Sequence, residues 1–437
     1  MGSARPTNRR PALRSARQGS SAAKVRPRPS AWWVAPTLVL LALACQPAAA
    51  PPSTPINQIA AAAEPTASPR PFGGLPVQDP FPAATTTVAN GQALLWSPWP
   101  MEGRDPQRTG RSPSVGVAQP RLIWSADIDP PSFGQSISWS DGSMYVGTAT
   151  GRLVSYSPTG SPSWSFSATG PLTTPAVGPD GTVYVRAGDG TLFALHPDGR
   201  RRWTTDIGAP PSMLGPAPVV GPDNYGYLTS YHSSMVYLVQ PGGFFQWAYN
   251  ARARTLGGAA VGTDGLIYFG TADGKLRSMD RELVERWVFD VGSPVISSPA
   301  LGPDGSIYVL TEHGLLAVAH EGRQLWSIPS CWQNGAPAMW PSVALDGRVQ
   351  VANCAVGRDG KILWQAPTHG PWTTPAALDS DGNAYFGSGS VLTSVATDGT
   401  ARWSYTAEGE VGPPSLGAFG SVAFTSRSAD RLYLLGR

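Results

Sequence analysis

Charge is scarce in this chain. Of its 437 residues only 14% are Asp, Glu, Lys or Arg, histidine occurs 5 times and cysteine 3 times. So little charge excludes a coiled coil or a long-helix protein, which draws about half its residues from Ala, Glu, Lys, Leu and Arg. The three cysteines, Cys45, Cys331 and Cys354, are too few for a disulfide-built scaffold, and no two of them adjoin. The histidines stand alone at 196, 232, 313, 320 and 369. His320-Glu321 has Gln324 where a metalloprotease motif needs its second histidine. No Gly-x-Ser-x-Gly elbow occurs. The longest apolar run, from Ala31 to Cys45, falls short of the roughly 20 residues that span a bilayer.

What the chain has instead is Gly (50), Pro (45) and Trp (16), the composition of a turn-rich β protein. Its formal charge of +3 comes from one end. Residues 1–45 hold eight basic side chains and no acid, which leaves 24 bases against 29 acids in the rest. A mildly acidic body offers no footprint for nucleic acid.

The basic stretch followed by a short apolar core reads as an export signal over residues 1–45. Arg9-Arg10 lies too far from the apolar run to serve as a twin-arginine signal. Ala42-Leu43-Ala44-Cys45 resembles a bacterial lipobox, which makes Cys45 the expected lipidation site; ordinary cleavage after Ala48-Ala49-Ala50 is the alternative. Residues 46–95, rich in Pro, Ala and Thr, read as an extended tether. A leader follows over 96–119, and the folded body is expected over 120–437.

That body repeats. Trp recurs at 124, 164, 203, 247, 287, 326, 364 and 403, at intervals of 38 to 44 residues. Asp turns recur in step at 141, 180, 223, 264, 304, 346 and 381, with Gly420-Ser421 as a degenerate eighth copy. Within one unit, Ser297–Leu301, Ser306–Leu310, Leu315–Val318 and Gln324–Ser327 alternate with Gly turns, which predicts four short antiparallel strands. The first strand of each unit carries small residues and often a proline (175, 218, 299, 341, 375, 414), as suits an edge strand beside a crowded axis. The Trp strand then lies outermost, its indole docking against the next unit. Eight units predict an all-β, eight-bladed β-propeller. The orphan strand Arg121–Ser125 is expected to join Arg431–Leu435, so that N- and C-terminal strands close the last blade.

The units, for example Asp264-Gly265-Leu266-Ile267-Tyr268-Phe269-Gly270-Thr271-Ala272-Asp273-Gly274-Lys275-Leu276, resemble the PQQ-type propeller repeat. The stretch Trp99–Gly110 resembles the leader that precedes such propellers. The resemblance covers about residues 96–437 and implies either a quinoprotein dehydrogenase or a non-catalytic scaffold. The enzymes hold their quinone with a vicinal Cys-Cys disulfide, a Trp floor and a Ca²⁺ bound by acidic and amide groups. This chain has no adjacent cysteines, so no cofactor is expected. Asp379-Ser380-Asp381-Gly382-Asn383 begins like a Ca²⁺ loop, lacks its closing Glu, and falls at the standard turn of the repeat.

Cys331 precedes the inner strand of one blade and Cys354 ends that blade's second strand; both places lie on one face. In an oxidising compartment a structural disulfide is expected. On the same face Trp332, Trp340 and Trp372 are extra to the repeat and are candidates for a partner-binding surface, although Trp372 aligns with Leu172 and can equally serve packing. The chain is also similar to the propeller lipoproteins of outer-membrane protein assembly. That similarity implies a monomer anchored to a membrane by an N-terminal lipid, binding other envelope proteins. A glycan- or small-ligand-binding propeller and a divergent quinoprotein are the alternatives.

Overall fold

The computed structural model describes residues 98–131, 137–140, 142–207, 215–231, 234–331, 340–370 and 373–437. Its strands form eight antiparallel sheets. Seven are continuous in sequence: blade 1 (138–167), blade 2 (176–206), blade 3 (219–250), blade 4 (260–290), blade 5 (300–329), blade 6 (342–365) and blade 7 (377–406). Each has four strands, a to d, in sequence order. Blade 8 is shared between the two ends of the described chain. Ser415–Leu416, Val422–Arg427 and Arg431–Gly436 supply strands a to c, and Arg121–Asp127 supplies d. Arg121 pairs with Gly436 and Asp127 with Arg431, so the expected closure is the one observed.

The a strands are two or three residues long and fully buried, and those of blades 1 to 3 and of blades 5 to 8 touch their neighbours around the axis. Prolines 175, 218, 299, 341 and 414 stand immediately before these strands, where a missing N–H costs no ladder bond. Strands b and c are almost wholly buried, since both faces are covered by neighbouring blades. The d strands alternate between exposed and half-buried residues and leave their outer edges unpaired. The only helix among the described residues is the short 3-10 turn Ala418–Gly420. None is long and apolar enough to cross a membrane.

The two repeat markers have distinct jobs. At the a–b turns the Asp side chain accepts from the backbone N–H two residues on, as Asp180 does from Thr182 (3.0 Å) and Asp304 from Ser306 (3.1 Å). Gly305, which follows Asp304, takes φ +80°, where a side chain would be strained. At six of the d strands the indole N–H donates to a carbonyl in the c–d turn of the next blade. Trp164 reaches Pro197 (2.8 Å), Trp203 reaches Pro241 (2.7 Å), Trp287 reaches His320 (2.9 Å) and Trp326 reaches Arg358 (2.7 Å). The ring lies flat on the turn glycine: a Cβ on Gly199 would stand 2.6 Å from Trp164. Such a bond contributes about 1 kcal/mol net, in addition to the area the ring covers.

Residues 98–112 are not a separate lead-in to the propeller. They run around the inner ring of a strands. The carbonyls of Trp99, Pro100, Pro106, Gln107, Thr109 and Gly110 accept in turn from the a-strand amides of Trp139, Val177, Val261, Leu301, Val343 and Leu378, at 2.7–2.9 Å. Six blades are thereby tied to one segment of chain. Blade 8 has no c–d turn, because its strands c and d come from opposite ends of the fold. The leader takes the turn's place: Val117 O accepts the indole N–H of Trp403 at 2.9 Å.

Candidate functional site

The channel of a propeller is its natural concavity. Here Arg108 is bonded to a blade that lines it. Its side chain has no exposed surface, and its φ is positive (54°). Nε donates to Ala259 O (2.7 Å) and Nη1 to Glu102 Oε1 (2.7 Å). A buried guanidinium of this kind persists only when its charge and its N–H groups are matched. Arg186 is a second buried cation; burial pushes it down to about 10, and Nη1 donates to Thr229 O (2.8 Å). Further along the leader, Asp379 forms a hub. It accepts from Gly116 N (3.2 Å), Asn383 Nδ2 (2.9 Å) and the Tyr385 hydroxyl (2.8 Å), and Arg402 donates to the same hydroxyl (2.8 Å). The stretch that begins like a Ca²⁺ loop therefore spends its carboxylate on holding the leader.

On the face of the d–a loops, Cys331 and Cys354 are bonded, with Cα atoms 6.0 Å apart. Gln365 Nε2 donates to Cys331 O (2.6 Å), so the bridge and blade 6 secure one end of the long loop. Of the three extra tryptophans, Trp340 is buried at 4% exposure, and its ring packs inward instead of facing solvent. Trp332 and Trp372 lie outside the described residues, as does Cys45. Of the repeat tryptophans, Trp124, Trp164, Trp203, Trp287, Trp326, Trp364 and Trp403 make the indole bond to a neighbouring carbonyl. Trp247 stands in the d strand Phe245–Asn250, and its side chain lies outside the described ones.

The opposite face, where the a–b turns lie, carries a polar cleft of about 270 Å³ between the leader and blades 4 and 5. Arg104, Asp105 and Arg111 line it from the leader, and Asp264, Tyr268 and His320 from the blades. His320 belongs to the c–d turn that receives Trp287, which fixes its place. Its Nδ1 is 3.0 Å from the Tyr268 hydroxyl and its Nε2 is 3.5 Å from Asp264 Oδ2. At the two flanking junctions the same positions carry Asp223 with Arg281 and Asp304 with Arg358. The histidine thus occupies a recurring inter-blade ion-pair position. Read as a lone histidine in the sequence, it gave no sign of this. The signal that was available is density: five charges, Glu102, Arg104, Asp105, Arg108 and Arg111, fall within residues 98–112 of a chain otherwise poor in charge.

A family model described as "Outer membrane protein assembly factor BamB" matches residues 114–230. No curated protein matches the chain in sequence. Among solved structures, BamB from Moraxella catarrhalis matches at 15% identity and TM-score 0.58, over 73% of this chain and 100% of that one. Quinohemoprotein alcohol dehydrogenase from Comamonas testosteroni matches at 13% and 0.66, over 78% and 81%. A europium-containing methanol dehydrogenase matches at 13% and 0.63, over 78% and 98%. At these identities the likeness is one of fold. The chain is an eight-bladed propeller of PQQ-like repeats.

The fold is therefore shared by quinohemoprotein and methanol dehydrogenases and by BamB. The described residues offer neither a vicinal cysteine pair nor a cation cluster for a quinone and its metal. The cysteines of the described chain are 23 residues apart and bonded to each other. Among the described residues no three His, Cys, Asp or Glu side chains converge to hold a cation. The leader occupies the inner edges of six blades.

Proposed function

We propose that this chain is an exported cell-envelope propeller, anchored through lipid on Cys45 and working as a monomeric, non-catalytic scaffold for other envelope proteins. The observation that carries this reading is the leader bonded around the inner ring. A propeller that ties residues 98–112 to the a strands of six blades engages its inner edges with its own chain and has its outer surfaces left for work. The match of residues 114–230 to an outer-membrane assembly factor supports the same reading.

The d edges suit this role, because an unpaired strand edge accepts an added strand. The edge of blade 6 is one apolar candidate. Its d strand, Ile362–Gln365, exposes Ile362 and Leu363 at 52% and 54%, with Leu345 exposed in the a–b turn of the same blade. The test is in-membrane cross-linking of the full-length protein followed by mass spectrometry. Wild type is expected to capture a defined set of envelope proteins. The double variant Ile362→Lys, Leu363→Lys should lose part of that set while keeping its thermal stability. Cys45→Ser should leave the membrane fraction. Capture of no envelope protein by the wild type, or a visible quinone chromophore in the native protein, would overturn the reading.

A further inference from the structure

The scaffold reading leaves the cleft on the a–b face unused, and its electrostatics are incomplete. Asp105 is the leader's carboxylate there, and it is already saturated. Its Oδ1 accepts from Thr109 N (2.8 Å); its Oδ2 accepts from the Thr109 hydroxyl (2.6 Å) and from Arg104 Nη1 (3.0 Å). Arg111 shares the cleft and has no carboxylate of its own. One of its nitrogens, Nη1, donates to Val343 O (3.0 Å). The other guanidinium N–H groups have no bond among the described residues. Burial lowers the basicity of Arg111; Asp105 opposes this and Arg104 adds to it. A half-buried guanidinium with unused donors, beside a second guanidinium that has taken the only nearby leader carboxylate, is built to receive an anion.

The choice of anion follows from the rest of the lining. Asp264 stands on the blade side of the cleft, with Oδ1 held by Leu266 N (3.0 Å) and Oδ2 near Tyr268 and His320 (3.5 Å each). Two arginines and two aspartates leave the lining close to neutral. A doubly charged phosphate would meet both aspartates, whereas a single carboxylate suits the N–H groups that Arg111 leaves without a protein partner. The planar fork of arginine fits a carboxylate with two parallel bonds. The volume of about 270 Å³ is small for a ligand site, so the carboxylate arrives on a compact group.

We propose that the cleft between the leader and blades 4 and 5 is a carboxylate-binding site in which Arg111 is the anchoring residue. The carboxylate can come from a free small acid or from the C-terminus of a peptide chain. This inference is independent of the scaffold reading, since the cleft lies away from the blade 6 edge.

The test is calorimetric titration of the full-length protein with four probes: sodium acetate, acetyl-Ala-Ala-Ala with a free carboxylate, the same peptide amidated, and inorganic phosphate. Binding of a carboxylate probe with no binding of the amide supports the site. Peptide stronger than acetate identifies a chain terminus, and equal affinities identify a free acid. Arg111→Gln should weaken binding about tenfold or more. Because Arg111 also holds Val343 O, a second variant guards against misfolding. Thr263→Trp lies on an exposed turn that lines the cleft, and should block binding with the fold intact. Equal binding of acid and amide, tighter binding of phosphate, no binding of either carboxylate at millimolar concentration, or full affinity in Thr263→Trp would each overturn the proposal.

Discussion

Replacing Arg108 by Ala should destabilise the ring more than any change at an exposed blade edge. The wild-type guanidinium has no exposed surface, and Glu102 is only 14% exposed. The substitution removes the 2.7 Å ion pair, strands the Glu102 carboxylate, and leaves Ala259 O without its donor. Removing one partner of a buried pair costs about 3–5 kcal/mol, chiefly through the charge left behind. If that is the cause, taking both charges away should hurt less. The double variant Arg108→Met, Glu102→Gln should recover roughly half of the loss, because no naked charge remains. The assay is equilibrium urea unfolding of the full-length protein, with stabilities compared at unchanged m-value. A loss under about 1 kcal/mol in Arg108→Ala would refute the reasoning, because a buried pair broken on one side cannot cost so little. So would a double variant no better than the single one.

Further expectations follow from the same contacts. Trp403→Phe keeps the ring but loses the bond to Val117; it should cost about 1 kcal/mol and speed amide exchange over residues 114–119, whereas Trp164→Phe should cost as much and leave that segment unchanged. Cys354→Ser opens a loop of 23 residues and should cost about 3 kcal/mol, matched by reductant acting on the wild type; free thiols at both positions in the purified native protein would contradict this. Acid should weaken the ring through the turn aspartates. Burial pushes Asp304 up, but the Ser306 and Arg358 bonds outweigh it and hold the carboxyl below its ordinary range. A depressed folded value means that the stabilisation is present above the unfolded value, near 4, and is lost as pH falls through the folded one. Urea midpoints should therefore drop below about pH 4, and less steeply in Asp304→Asn, which keeps the turn.

The fold was legible because its two markers are local and periodic. An Asp-Gly turn and a Trp ten to twelve residues after the third strand begins recur wherever a blade must turn and dock, so their spacing counts the blades. Closure was legible too, since one Trp strand at the start and one missing at the end leave a single way to pair. The leader's role was not legible. Its bonds to the blades use main-chain carbonyls, which carry no sequence signature, and its side chains act at a distance of up to 232 residues from their partners. The cleft was hidden for the same reason. Arg111, Asp264 and His320 come from three places in the chain, and only the threading of the leader brings them to one wall. Trp340 shows the converse error. A tryptophan extra to the repeat reads as a surface anchor, yet the strand it precedes lies beside the axis, and the ring is buried there.

The central claim is that the propeller bonds its own leader around its inner ring, so that its function falls to its outer surfaces. Hydrogen exchange of the native full-length protein tests it most directly, read at the amides of Val177, Val261, Leu301, Val343 and Leu378. These donate to leader carbonyls and have no other role in their sheets' ladders. The account predicts that all five exchange as slowly as the b-strand amides and are released together in Arg108→Ala. Rapid exchange at these five positions in the wild type, with the b strands still protected, would mean an unbonded leader and would contradict the account.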